Sequence, residues 1–146
     1  MTKTLNRILL AVLALVATIT GVWAYVAPRS WYDSFPGLGL SWLPQLGPYN
    51  EHFCKDVGAM FLALLVLSVT AIFCIDNRAV VRITAASWLT FNVLHWWFHM
   101  TMLHMYNTRD AVLNVILLSA LVLISAALLV PIRARTQTYV ASSSRL

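Results

Sequence analysis

The sequence predicts an all-α, polytopic membrane protein, a bundle of four transmembrane helices with both termini in the cytoplasm. Three observations carry this prediction: the composition, four long apolar segments, and the placement of lysine and arginine. Of the 146 residues, 60% are hydrophobic and only 10% are charged, and the mean hydropathy is +0.77. Soluble domains carry roughly 25% charged residues, so this composition is typical of the membrane class.

Four segments reach the length of about 20 apolar residues that a bilayer crossing requires. They cover residues 8–27, 51–75, 83–106 and 111–130. We assign them to one domain, residues 1–135, in which Pro131 ends the last helix because it lacks a backbone donor. The Ser-rich stretch 136–146 predicts a disordered cytoplasmic tail. The first apolar run is longer than the apolar core of a signal peptide, so we interpret it as a retained helix.

Lysine and arginine are distributed unevenly between the two ends of these segments. One side collects Lys3, Arg7, Arg78, Arg82, Arg133, Arg135 and Arg145, and the other collects Arg29, Lys55 and Arg109. The positive-inside rule therefore predicts a multi-pass membrane protein with both termini in the cytoplasm. The basic residues flank apolar spans and form no patch with interleaved aromatics, which argues against nucleic acid as a partner. Membrane lipid is the expected contact of these residues.

The outer loop, residues 28–50, contains Trp31, Tyr32, Phe35 and Trp42 together with several glycines and prolines. Aromatic side chains concentrate at membrane interfaces, and Gly and Pro favour turns. We therefore expect the loop to lie in the interface with a short helix, as a lid over the bundle. Cys54 and Cys74 stand about 30 Å apart on one predicted helix, too far to form a disulfide with each other.

The second segment opens with polar residues. Asn50 is a candidate N-cap, and Glu51 and Lys55 have the i, i+4 spacing of a helical ion pair. His52 and Asp56 share that spacing on a neighbouring face. Further along, the small side chains of Gly58, Ala59 and Ala63 predict close approach of another helix.

The third segment carries a stripe of Asn92, His95 and His99, and Asn114 lies about one turn into the fourth segment. The helical rise places Asp56 about 7–8 Å and His99 about 10 Å from the outer end of their segments. Separate helices thus bring polar residues to the same depth near the outer face. Placing ionisable groups inside a membrane costs free energy, so such groups generally have a function. The predicted buried pocket consists of Glu51, His52, Asp56, Asn92, His95, His99 and Asn114.

Three interpretations of this pocket remain open. Asp56 can pair with His99 while Asn92 and Asn114 bond between helices, a purely structural role that contributes roughly 0.6–2 kcal/mol per contact. The pocket can instead bind a lipid-type or small polar ligand. Alternatively, His95 and His99 offer two imidazoles on one face, and a transition metal (Cu, Fe or Zn) or haem would use them together with His52 and Asp56.

The sequence contains no HExxH, no GxSxG and no glycine-rich phosphate loop. We therefore expect an accessory subunit of a larger membrane complex, or a lipid-type ligand-binding protein, with a homo-oligomer also possible. The alternative is a metal- or haem-binding redox protein or enzyme that uses the histidine set.

The stretch GPYNEH at residues 47–52, followed by DVG at residues 56–58, resembles a signature of small four-span membrane proteins of actinobacteria. The histidines at positions 95, 99 and 104 are similar to a second signature of that group. The group is loosely akin to DoxX-like four-helix proteins. The resemblance implies a four-helix bundle in an actinobacterial plasma membrane, and it implies no activity.

Overall fold

The computed structural model describes residues 2–130, which form an all-α bundle. Its helices are α1 (Lys3–Val26), α2 (Pro28–Ser34), α3 (Glu51–Phe73), α4 (Arg78–Thr101) and α5 (Thr108–Leu129). The all-α prediction is confirmed. Between α2 and α3, the two-residue strands β1 (Pro36–Gly37) and β2 (Leu40–Ser41) pair antiparallel, and a 3-10 turn follows at Leu43–Gln45. A second 3-10 turn, Leu103–Met105, links α4 to α5.

Three helices, α1, α3 and α5, are long and apolar enough to cross a membrane. The helix α4 has the same length as α1, 24 residues, but its arginines, histidines and asparagine make it more polar. The helix α4 begins five residues before the predicted third span, which starts at residue 83. The helix starts at Arg78 because the Asn77 side chain caps it, accepting from the backbone N–H groups of Ala79 and Val80. The predicted stop at Pro131 and the predicted tail, 136–146, lie outside the described residues.

The helices α1 and α3 pack through small residues. Ala17, Gly21 and Ala24 of α1 are buried, as is Gly58 of α3. A Cβ atom built on Gly58 would lie 2.7 Å from the backbone nitrogen of Tyr25 and 3.0 Å from the carbonyl oxygen of Gly21. The two backbones therefore touch where only glycine fits, which is how helices approach closely in lipid. The close approach predicted for the three small residues is confirmed at Gly58, whereas Ala59 and Ala63 are exposed.

The helices α4 and α5 are held together by polar contacts instead. The Asn92 side chain donates to the Ser125 hydroxyl at 2.8 Å and to the Leu121 carbonyl at 3.3 Å. One turn away, the Trp96 indole donates to the Ser119 hydroxyl at 2.9 Å. These bonds fix the register of the two helices in apolar surroundings. The interhelical bond predicted for Asn92 is confirmed.

A shared core joins the two helix pairs. Trp88 of α4 is fully buried, and its indole N–H donates to the Ser68 hydroxyl of α3 at 2.8 Å. The rings of Phe61 and Phe91 meet it edge-on, with centroids 6.1 and 6.5 Å away. Trp88 therefore links α3 and α4 through both a hydrogen bond and aromatic packing.

The two ends of the bundle are held together by different contacts. At the end that holds the start of α1, Lys3 pairs with Asp76 in the α3–α4 connection and holds the pKa of that carboxyl below its ordinary value. At the opposite end, the long α1–α3 connection folds over the helices. Trp31 packs with Ala24 and Cys54, and the rest of the connection continues across the bundle as predicted for a lid that contains a short helix.

Candidate functional site

The structure separates the predicted metal ligands into two groups. His52 and Asp56 pair with each other, with 3.2 Å between Nε2 and Oδ2, and their side chains are 78% and 62% exposed. Asp56 therefore does not pair with His99, and the structure does not bring His52 and Asp56 together with His95 and His99. Within residues 2–130, no three His, Cys, Asp or Glu side chains come together in a group that could hold a metal ion.

The reason lies in how α3 is turned about its axis. Its Cys54 and Gly58 face α1 and the connection above it, and both are buried. His52 and Asp56 lie on the opposite side of the helix and face outward. Glu51 is exposed beside them and forms the predicted ion pair with Lys55, at 2.8 Å. Asn50 caps α3 as predicted, accepting from the Phe53 N–H at 3.2 Å.

The remaining predicted residues contribute to a compact group between α4 and α5, which we name the α4–α5 polar cluster: His95, His99, Tyr106, Asp110 and Asn114. The His95 and His99 rings meet edge to face, with centroids 4.4 Å apart. The His99 ring lies nearly parallel to that of Tyr106, at 6.4 Å. His99 and Asn114 are only 5% and 1% exposed, so two helices bury an imidazole against an amide. Asn92, also predicted for this site, lies deeper, in the Ser125 contact.

Four polar atoms of this cluster are buried without a hydrogen-bond partner in the protein: His99 Nδ1, Tyr106 OH, Asp110 Oδ1 and Asn114 Oδ1. The Asn114 Nδ2 group donates to the Asp110 carbonyl within α5 at 3.0 Å, so only its Oδ1 is left without a partner. A buried polar group without a partner costs about 1–3 kcal/mol. The Asp110 and Asn114 oxygens accept hydrogen bonds, and the Tyr106 hydroxyl both donates and accepts them. A water molecule has the donors and acceptors that such a set requires.

Two contacts position the rim of the cluster. Asn107 caps α5, accepting from the Asp110 N–H at 2.9 Å, and its amide donates to the Asp110 carboxylate at 3.0 Å. Trp42, from the long connection, meets the Tyr106 ring edge-on at 6.4 Å and is itself buried. Burial, with Asp110 nearby, raises the pKa of Tyr106 to about 12. Its hydroxyl therefore stays protonated at neutral pH and can donate.

A second feature, which we name the loop groove, lies between the long connection and the first turns of α3. It has a volume of about 190 Å³. Its walls are mainly apolar: Trp31, Leu43, Leu46, Phe53, Cys54 and Val57. Asn50 and Tyr32 lie at its edge. A groove of this kind accepts hydrocarbon more readily than a polar molecule.

A cation is fixed beside the loop groove. The Arg29 guanidinium lies 5.0 Å from the centroid of the Tyr49 ring and 6.0 Å from that of Tyr32. Its Nε donates to the Asp33 carboxylate at 2.8 Å. Because Tyr32 also lines the groove, the Arg29 guanidinium lies beside the apolar wall of the groove.

Comparison with known protein families, with curated proteins and with solved structures finds no match to this chain. The site is therefore described from its own residues. Sequence reasoning missed Tyr106 and Asp110 in the cluster, Trp42 at its rim and Cys54 in the groove. Asp110 carried a usable signal, because it lies four residues before Asn114 and so on the same helical face.

The Asn92–Ser125 contact makes a direct prediction. We expect a coupling energy of about 0.6 kcal/mol, up to about 1.7 kcal/mol, as found for interhelical hydrogen bonds in membranes. A double-mutant cycle of Asn92→Ala and Ser125→Ala, with unfolding followed in mixed micelles, measures it. The same cycle on Thr90 and Ser125 is the control, because Thr90 is exposed on α4. Strictly additive effects of Asn92→Ala and Ser125→Ala would contradict the contact.

Proposed function

We propose that this chain is a four-span integral protein of the plasma membrane that binds a lipid-type ligand in the loop groove. Both termini lie in the cytoplasm, and α1, α3, α4 and α5 are the spans. Three of them are apolar enough by length and composition. The 24 residues of α4 extend about 36 Å, which exceeds the roughly 30 Å of a hydrocarbon core.

The polarity of α4 is compatible with a span because its buried asparagine and histidine turn toward other helices, while its exposed arginines, Arg78 and Arg82, lie in the first two turns. Asn92 and His99 are buried against α5, which is where polar residues of transmembrane helices are tolerated. Outward-facing positions such as Ile83, Leu94 and Trp97 are large and apolar. The excess of lysine and arginine at the ends that hold the termini supports the cytoplasmic placement.

The loop groove is the observation that carries the ligand proposal. An apolar groove beneath an aromatic connection, with Arg29 beside it, suits a molecule with a hydrocarbon chain and an anionic head. A volume of about 190 Å³ accommodates part of one chain. A lipid that enters from the adjacent leaflet already has its chains in hydrocarbon, so the binding would come from packing against the groove walls and from contact with Arg29. Kinship with the small actinobacterial four-span proteins belongs to the same proposal.

The two cysteines provide a built-in test. Cys54 lines the groove, whereas Cys74 is exposed at the other end of α3. We expect an anionic phospholipid to slow alkylation of Cys54 by a small maleimide several-fold and to leave Cys74 unaffected, as followed by intact mass spectrometry in mild detergent. Lipid should also co-purify with the chain. Equal rates at Cys54 with and without lipid would contradict the proposal.

A matched pair of variants sharpens the test. Leu46→Trp fills the groove and should remove the bound lipid and its protection of Cys54. Leu38→Trp makes the same change at a position that is 99% exposed, and it should retain both. If lipid is absent from both variants and from the parent, while another membrane protein co-purifies in a fixed ratio, the role is that of an accessory subunit instead.

A further inference from the structure

The six tryptophans of the chain all lie within the described residues, and they differ in what their indole N–H groups contact. Trp97 is 66% exposed. The three other tryptophans of α1 and α4 each donate to a serine hydroxyl, at 2.8–3.2 Å. The pairs are Trp23 with Ser30, Trp88 with Ser68 and Trp96 with Ser119. The fold therefore provides an acceptor for each of these three covered indoles.

The two tryptophans of the long α1–α3 connection are different. Trp31 and Trp42 are 6% and 4% exposed, and the Nε1 atom of each is buried without an acceptor among residues 2–130. Trp42 lies against Tyr106 at the rim of the α4–α5 polar cluster, whereas Trp31 lines the loop groove. A buried indole N–H normally finds a hydrogen-bond partner. The Trp31 N–H is thus a donor at the groove for which the protein itself supplies no acceptor.

The surroundings of Trp31 restrict what the missing acceptor is. Polar groups at the edge of the groove are already bonded, because the Tyr32 hydroxyl donates to the Gly47 carbonyl and the Asn50 Oδ1 atom caps α3. The remaining walls are mainly apolar. A buried water molecule needs two to four polar partners, which such walls do not offer. The acceptor therefore has to arrive on a molecule that is otherwise apolar.

An acylated glycerophospholipid carries its acceptors in the order that this region requires. Its phosphate is outermost, its ester carbonyls come next and its hydrocarbon chains lie beyond them. Arg29, with a side chain that is 66% exposed, lies beside the groove and bonds to Asp33 through Nε, so its Nη groups can meet a phosphate. Trp31 is buried at the groove wall, at the level where an ester carbonyl follows the phosphate.

We propose that the Trp31 indole N–H donates to an ester carbonyl of the lipid in the loop groove, so that the site selects ester-linked acyl lipids over lipids that lack this carbonyl. The inference rests on the lipid binding proposed above and adds the linkage class of the ligand. A lipid without the carbonyl leaves a buried donor unpaired. Sites built around such a donor reject analogues that cannot accept its hydrogen bond.

Two phosphatidylglycerols test the proposal, one with two ester-linked oleoyl chains and one with two ether-linked oleyl chains. Each is titrated into the protein in dodecyl maltoside, a detergent without carbonyl groups, and the alkylation of Cys54 is followed. Half-maximal protection should require about five-fold less of the diester, which is the factor that one ordinary hydrogen bond provides. Alkylation of Cys74, at the other end of α3, should not change with either lipid.

A matched pair of variants identifies the donor. Trp31→Phe keeps an aromatic ring but removes the N–H, and it should bring the preference for the diester to about one-fold. Trp23→Phe makes the same change to an indole that already has its acceptor, and it should retain the preference. Because the ratio compares two lipids on one variant, a general loss of packing does not imitate this result. A preference that survives Trp31→Phe would overturn the proposal.

The parent chain gives an independent readout when its tryptophans are labelled with ¹⁵N. The indole N–H resonance of Trp31, assigned by its loss in Trp31→Phe, should move downfield with the diester and stay nearly unchanged with the diether. The resonance of Trp23 should not respond to either lipid. Equal protection of Cys54 by the two lipids would contradict the role of Trp31 and leave lipid binding in the groove intact. Protection by neither would contradict lipid binding in the groove, and this inference with it.

Discussion

Trp88→Ala is expected to destabilise the bundle more than any other single truncation, by a value near the lower end of about 3–5 kcal/mol. Trp88 is fully buried, and its ring contacts Phe61 and Phe91 while its N–H bonds to Ser68 across the α3–α4 interface. The truncation leaves a cavity between the two helix pairs and a buried hydroxyl without its donor. The lower end applies because, in a bilayer, the unfolded reference also keeps the ring out of water, so the loss comes mainly from the cavity and from packing.

The same helix provides the control. Trp97→Ala removes an identical side chain that is 66% exposed, and it should change the free energy of unfolding by less than about 0.5 kcal/mol. Trp88→Phe should fall between the two, because it restores part of the volume but not the hydrogen bond. Unfolding in mixed micelles, followed by far-UV circular dichroism, measures all three. Equal effects of Trp88→Ala and Trp97→Ala would show that Trp88 does not join the helix pairs.

Much of the helical framework could be predicted because it depends on local rules. The cap at Asn50, the Glu51–Lys55 pair and the apolar length of α1, α3 and α5 follow from spacing and side-chain chemistry within one segment. The start of α4 did not follow, because the apolar pattern begins at residue 83 whereas Asn77 sets the first turn. The polar cap at Asn77 therefore sets the start of α4, and the hydropathy pattern does not.

The candidate site was only partly predictable because depth and direction have different origins. The rise per residue gives the depth of Asp56 and His99, but the direction of a side chain depends on which neighbour its helix packs against. The small residue Gly58 indicated which side of α3 packs against its neighbour. Two residues correspond to about 200° around a helix, so a helix that packs at Gly58 turns Asp56 away from the interface. The positions of Trp42 and Tyr106 depend on how the connections fold across the bundle, which no local pattern specifies.

The contact at Gly58 leads to the second large effect. In an uncrowded helix, Gly→Ala raises stability by up to about 1 kcal/mol, because alanine is the better helix former. Here the added Cβ atom would lie 2.7 Å from a backbone nitrogen and 3.0 Å from a backbone oxygen of α1, neither of which can rotate away. The helices must move apart and lose contacts along the interface. We therefore expect Gly58→Ala to destabilise the bundle by about 1–3 kcal/mol.

The neighbouring glycine tests whether the clash with backbone is the cause. A Cβ atom on Gly21 meets chiefly the side chain of Leu62, at 3.1 Å, and the Gly58 carbonyl oxygen at 3.2 Å. Because a leucine side chain can adjust, Gly21→Ala should cost less than Gly58→Ala. Ala11→Val on the exposed face of α1 adds volume where nothing opposes it and should be close to neutral. If Gly58→Ala raised the unfolding midpoint in mixed micelles, helix propensity would outweigh the contact, and α1 and α3 could not lie as close as the structure places them.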